Sequence, residues 1–168
     1  MIELGIVGAK NSGKTTLIEA LLPEFTEQGL RVATLKHTGH NHTFDSEGKD
    51  SYRHRRAGAE LTVALSQKEI ALFAEPNEEF LEFIRGLMAK HFDLCLVEGN
   101  KQSGRPKALL TRNLKSLRSP APDNIVASYG PEQFSADVTH FPVENFNELA
   151  AYLAERFSLG KAREAGDV

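Results

Sequence analysis

Gly8-Ala9-Lys10-Asn11-Ser12-Gly13-Lys14-Thr15 is the stretch that decides the fold of this chain. It fits the spacing G-x-x-x-x-G-K-[ST], which is diagnostic only between a strand and a helix. Before it, Ile2 to Val7 is a short apolar run containing Gly5, of strand length. After it, from Lys14 onward, Leu17, Leu21 and Phe25 recur at helical spacing. Gly29 is placed to cap that helix, and Pro23 is expected to kink or interrupt it. In such a loop the glycines let consecutive N–H groups face a phosphate, and the helix adds its positive end. Lys14 then reaches the β- and γ-phosphates and the Thr15 hydroxyl can hold Mg2+.

Outward from this loop, strands are expected at Leu30 to Leu35, Leu61 to Leu65, Glu69 to Ala74, Leu94 to Val97, Lys107 to Leu110 and Asn124 to Ala127. Helices are expected over Ser51 to Ala57, after an Asn77 cap, and over an apolar stripe of Phe146, Leu149, Ala150, Leu153 and Phe157. Asn145 and Glu148 have capping-box spacing at the start of the last helix. Strand–helix alternation in the first and last thirds predicts an α/β P-loop NTPase fold, a doubly wound, mostly parallel sheet with helices on both faces. The 168 residues predict one nucleotide-binding domain over 1–157 and a flexible tail over 158–168.

A P-loop also needs an acid near the metal, supplied where strands end at the ligand crevice. Asp93 opens the Leu94 to Val97 strand and Glu98 closes it, roughly 16 Å apart at about 3.3 Å per residue, so Glu98 is the metal acid and Asp93 a solvated one. Gly99 allows close approach of backbone to phosphate. Lys36, at the end of the second strand, points to the same rim, where it either neutralises phosphate or stands in water. His37, His40 and His42 with Asp45 raise a metal site, but no Cys joins them and no helix fixes their directions. Asp45 could instead help hold Mg2+ or water. Tyr52-Arg53-His54-Arg55-Arg56 is a dense basic turn, for which a solvated face is the ordinary reading.

The chain is 40% apolar with 20 basic and 23 acidic residues, a net charge of -3 that fits an ordinary globule. No apolar run approaches the roughly 18 residues of a membrane span. The absence of a basic leader before the first strand, and a single cysteine, Cys95, inside an apolar run, point to a reducing cytoplasm. Gly99 to Pro122 holds Lys101, Arg105, Lys107, Arg112, Lys115 and Arg118 and no acid, which leaves the remainder at -9. Such a segment is expected to attract phosphorylated ligands or an acidic partner surface. It lacks interleaved aromatics, which disfavours nucleic acid.

The P-loop, Leu35-Lys36-His37-Thr38, Gly48-Lys49-Asp50-Ser51-Tyr52 with Arg56-Ala57-Gly58-Ala59, and Asp93-Leu94-Cys95-Leu96-Val97-Glu98-Gly99 form an ordered set. That set resembles the MobB family of GTP-binding proteins, over most of the chain. The resemblance implies a dimer that binds GTP with Mg2+ and assists a separate MobA-type guanylyltransferase joining GMP to molybdopterin, with at most weak GTPase activity. It places phosphate on Gly8 to Thr16, thus on Gly8, Lys10, Asn11, Ser12, Gly13, Lys14, Thr15 and Thr16, and the metal on Thr15 and Glu98, with Lys14 and Glu98 the catalytic pair. No N-K-x-D guanine signature accompanies it, since Asn100-Lys101-Gln102-Ser103 lacks the Asp. The alternative is a small-molecule kinase that uses the same P-loop, with Arg53, Arg56 and the basic segment around its acceptor. A nickel-handling GTPase would need a defined His or Cys metal site.

Overall fold

The computed structural model describes residues 1–39, 43–117 and 120–160. They form two compact units, one of Met1–Gly39 with Met88–Val168 and one of His40–Leu87. The first holds β1 (Ile2–Gly8), α1 (Lys14–Glu27), β2 (Val32–Lys36), β5 (Leu94–Glu98), β6 (Lys107–Leu110), β7 (Ile125–Tyr129), β8 (His140–Phe141) and α4 (Phe146–Arg156). The second holds α2 (Asp50–Arg56), β3 (Leu61–Leu65), β4 (Ile70–Ala74) and the start of α3 (Glu78–His91).

Six parallel strands run in the order β2-β5-β1-β6-β7-β8. The chain moves outward from β1 to β2, returns to β5, then continues on the other side to β6. The reversal at β1 opens a crevice at the carboxyl ends of the strands, and the P-loop leaves β1 there. Leu4, Ile6, Leu94 and Leu96 share a core with Leu17, Leu21 and Phe25 of α1 and Leu149 and Leu153 of α4. The alternate residues Val7, Cys95, Val97 and Leu109 are buried as well. Strands apolar on both faces are what a parallel sheet requires, and Cys95 is packing.

Helix α1 ends where Gly29 predicts. Gly29 takes φ +82°, its N–H donates to the Thr26 carbonyl (2.9 Å), and the Leu30 N–H donates to the Phe25 carbonyl (3.2 Å). That is a Schellman motif, with buried Leu30 and Phe25 as its apolar contact. Pro23 does not interrupt the helix, contrary to expectation. Its missing N–H leaves the carbonyl of exposed Glu19 to water, and Thr26 Oγ1 donates to the Leu22 carbonyl at 3.0 Å nearby.

Asn77 caps α3 as expected, its Oδ1 accepting the Phe80 N–H at 2.8 Å. The capping box of α4 does not form. A 3-10 turn over Val143–Asn145 leads into the helix and leaves Asn145 at φ -98°, ψ 37° with no side-chain cap bond. After α4 the Leu159 N–H donates to Ala154 O at 2.8 Å and Ser158 takes φ 51°. The rest of the expected tail lies outside the described residues.

The basic segment is corrected most. Lys107 is fully buried at the start of β6, where its ammonium donates to the carbonyls of Ser103, Arg105 (3.0 Å) and Asp123 (2.9 Å) and to Asp123 Oδ1 (2.7 Å). Its stem passes Gly5, where an added Cβ would sit 3.0 Å from Lys107 Cγ, which explains a glycine inside β1. Arg105 pairs with Glu3 at 2.8 Å. Two of the six cations are thus spent inside the fold, and Arg118 lies outside the described residues.

In the second unit, Asp45 is buried and accepts from Ser51 Oγ (2.9 Å) and Arg55 Nη2 (3.0 Å). Arg55 also stacks over Phe73 at 5.6 Å. Asp45 therefore ties the loop before α2 to that helix and engages the same Arg55 that stacks over Phe73 of β4, so its oxygens serve packing rather than Mg2+ or water. Burial pushes the Asp45 carboxyl up, but the bonds from Ser51 and Arg55 outweigh it and hold it below the usual value. The hydrogen bond and charge of Lys107 hold Asp123 down likewise. Both carboxylates therefore contribute stability that is fully present above the ordinary aspartate value near 3.9. Unfolding free energy is expected to fall as pH drops through their lower folded values, and urea titrations between about pH 5 and 2 would show it; Asp45→Asn is expected to flatten that dependence.

Candidate nucleotide-binding site

The P-loop is formed by local backbone demands. Gly13 takes φ +97° and Asn11 φ 58°, both in the left-handed region. At Gly8 a Cβ would lie 2.6 Å from Ser12 Oγ, so only glycine lets the loop close there. Ser12 is buried with its Oγ unpartnered, a polar atom that a bound phosphate oxygen would satisfy. Lys10, Asn11, Thr15 and Thr16 are exposed along the loop and first turn.

Lys14 folds back over the loop, donating to Ala9 O at 2.7 Å and Gly8 O at 3.4 Å. Burial pushes its ammonium below the ordinary lysine value, the Glu98 carboxylate opposes that shift, and Lys36 adds to it. An arriving phosphate would replace the carbonyls as its partner.

Glu98 is where strand register predicts it, paired with Ile6 on one side and Lys36 on the other. Its Oε2 accepts from Thr15 Oγ1 at 3.1 Å and its Oε1 lies 3.4 Å from Lys36 Nζ. Thr15, Glu98, Lys14 and Lys36 are thus one cluster at the crevice. A hydroxyl facing a carboxylate beside the phosphate loop is a donor set of hard oxygens suited to Mg2+. Asp93, at the far end of β5, accepts the Arg31 N–H at 2.8 Å.

Gly99 takes φ +89°, and the group pressed against it is the His37 carbonyl, 2.7 Å from an added Cβ, rather than an open approach for phosphate. His37 is exposed, His40 and His42 lie outside the described residues, and no group of three potential metal ligands exists among the described residues. Arg53 pairs with Asp50 at 3.6 Å on the surface of the second unit.

Sequence reasoning missed a cavity of about 240 Å3 bordered by Ser12, Gly13 and Thr16 and, across from them, by Arg112, Tyr129 and Phe146. Its one signal was the Tyr129-Gly130-Pro131 turn, legible as a turn and not as a wall.

A P-loop that follows a strand, with an acid at the neighbouring strand end, is common to many folds, so its ordered neighbours decide the lineage. Residues 3–128 match the family model described as molybdopterin guanine dinucleotide synthesis protein B. The chain belongs to the MobB family. It is 37% identical over 143 residues to the molybdopterin-guanine dinucleotide biosynthesis adapter protein of Haemophilus influenzae, covering 84% of this chain and 76% of that one. Identity to the protein of the same name from Escherichia coli is 33% over 159 residues, 90% and 91% of the two chains. The solved MobB of Bacillus subtilis superposes with a TM-score of 0.72 at 27% identity, covering 92% of this chain and 98% of that one. The MobB fold is therefore the doubly wound P-loop architecture predicted from Gly8 to Thr15. Among the described residues no helix is long and apolar enough to cross a membrane.

Proposed function

We propose that this MobB-family protein is an adapter in molybdopterin guanine dinucleotide biosynthesis that binds GTP with Mg2+ and assists a MobA-type guanylyltransferase. The observation that carries nucleotide binding is the cluster of Lys14, Thr15 and Glu98 around the loop that leaves Ser12 Oγ unpartnered. Its relatives' name supports the adapter role. Lys14 binds the β- and γ-phosphates, the loop N–H groups and Ser12 orient them, and Lys36 offsets their charge. Thr15 and Glu98 would hold Mg2+, which when bound neutralises charge on the phosphate oxygens. Hydrolysis is slow in this reading, as P-loop proteins without an arginine finger turn over slowly. The kinase alternative loses part of the support it drew from the basic segment, since Lys107 and Arg105 are engaged inside the fold.

The test is guanylyltransferase turnover at limiting GTP, with this protein added as wild type or as Lys14→Ala. Stimulation by the first and not the second is expected; equal stimulation by both would separate the adapter role from the nucleotide site. Glu98→Gln is expected to weaken GTP binding about tenfold in Mg2+ and to leave the metal-free affinity little changed, as calorimetry with and without EDTA would show. Unaltered Mg2+ dependence would move the metal acid elsewhere.

The homodimer also belongs to this proposal. In the β3–β4 ribbon, Leu61, Val63, Leu65, Ile70, Leu72 and Ala74 share one face by register. Val63, Leu65 and Ile70 are more than half exposed. A two-stranded ribbon is marginal alone, and an uncharged, continuous apolar face is complementary to itself in an isologous contact. The occupant is a second copy of the chain. Val63→Glu is expected to halve the molar mass in light scattering; a wild-type monomer or a dimeric variant would place any interface elsewhere.

A further inference from the structure

The cavity beside the P-loop lies wholly within the first unit, so its walls are fixed by the parallel sheet. One wall is a stripe of α1, with Gly13, Thr16, Leu17 and Ala20 at helical i, i+3, i+4, i+7 spacing. It begins in the phosphate loop and leads away from it, so a ligand whose phosphates occupy the loop can lay its remaining part along this stripe. The other wall is set where β6 and β7 end and α4 begins, and it is apolar and aromatic through Leu110, Pro131 and Phe146. At about 240 Å3 the cavity is smaller than the roughly 300–1,000 Å3 of sites for drug-sized molecules. It suits one flat heterocycle and is too small for a complete second substrate.

Its polar groups are few. Tyr129 Oη is already engaged, donating to Val143 O at 3.0 Å. Burial raises the Tyr129 phenol, against the pull of the Arg112 guanidinium nearby and with a smaller push from the Glu144 carboxylate. Ser12 and Thr16 bring hydroxyls at the phosphate end of the cavity. Among the described residues Arg112 has no hydrogen bond or ion pair. No carboxylate lines the cavity. A guanidinium only donates, and it donates as a fork. It therefore pairs with a base edge that offers two acceptors. Guanine presents O6 and N7 together, whereas adenine sets an N6 donor beside N7.

We propose that this cavity holds the base of the bound nucleotide and that Arg112 selects guanine by donating to O6 and N7. The inference rests on the P-loop binding a nucleoside triphosphate. It replaces recognition of N1 and the 2-amino group by an Asp carboxylate, which accounts for the missing N-K-x-D signature without abandoning guanine preference.

The experiment measures the affinities of the full chain with Mg2+ for GTP, ITP, 7-deaza-GTP and ATP, in wild type, Arg112→Ala and Arg112→Lys. ITP keeps O6 and N7 and lacks the 2-amino group, so it is expected to bind within about twofold of GTP. 7-Deaza-GTP lacks N7 and ATP lacks O6, and each is expected to bind about tenfold more weakly or worse. Arg112→Ala is expected to bring GTP down to the ATP level while ATP changes less than about twofold, and Arg112→Lys, without the fork, to recover little. ITP binding far below GTP would overturn the proposal in favour of an acceptor at the 2-amino edge. An equal loss for all nucleotides in Arg112→Ala would overturn it by placing the arginine on phosphate or stacked over any base face. Triphosphate binding that survives with no base preference defeats this inference alone, whereas no binding of any triphosphate defeats it together with the P-loop reading.

Discussion

Replacing Lys14 with Ala is expected to erase the rise in melting temperature that GTP and Mg2+ give the wild-type protein. A ligand at 100 times its dissociation constant adds about 2.7 kcal/mol. In a chain of this length each kcal/mol moves the midpoint by roughly 2–4 °C. The wild-type shift should then be about 5–10 °C, and the variant's should be within error of zero. The reason is specific to the geometry. The Lys14 ammonium now bonds the Ala9 and Gly8 carbonyls, half-buried between Glu98 and Lys36, so it is a cation held beside the loop before the phosphate arrives. Without it, the loop N–H groups alone face a polyanion. The apo variant should lose about 1 kcal/mol, the worth of a part-buried bond such as the one Lys14 makes to Ala9 O. A retained shift would mean that the triphosphate binds away from Gly8 to Thr15.

The largest effect on stability is expected at Lys107, far from any reading of charge as surface. Lys107→Ala removes the donor to the Ser103, Arg105 and Asp123 carbonyls. Each of these bonds is worth about 1 kcal/mol, and the fully buried Lys107 stem is lost with them, so the loss should be about 3 kcal/mol. In urea that is a midpoint lowered by roughly 1–2 M. Lys107→Met restores the stem alongside Gly5 and should recover only the packing part. Because Asp123 is mostly exposed, Asp123→Asn should cost far less than Lys107→Ala, and a larger cost would show that the carboxylate, rather than the carbonyls, anchors the ammonium.

What the sequence made legible was what depends on near neighbours in the chain. Gly8, Gly13 and Lys14 fix the loop by backbone conformation and spacing, and Gly29 stops α1 through bonds within five residues. Glu98 was reachable because strand ends share one rim in a parallel sheet, so counting along β5 separated it from Asp93. Register across strands was not legible. Nothing in Gly99 to Pro122 announces that Lys107 lies opposite Gly5 and turns inward, so six cations read as one face. Asn145 shows the same limit, because the 3-10 turn that displaces it is set by how Pro142 and Val143 leave β8, a two-residue strand with no periodicity to find. The cavity walled by Thr16, Arg112, Tyr129 and Phe146 joins four separate segments, and only the fold brings them together.

The most direct measurement is calorimetric titration of the purified wild-type chain with GTP in the presence of Mg2+. A single saturable site per chain, weakened on removal of Mg2+ and absent in Lys14→Ala, is the predicted result. A folded protein that shows no saturable binding up to millimolar GTP, or one whose binding persists in Lys14→Ala, would contradict the assignment of Gly8 to Thr15 and Glu98 as its nucleotide site.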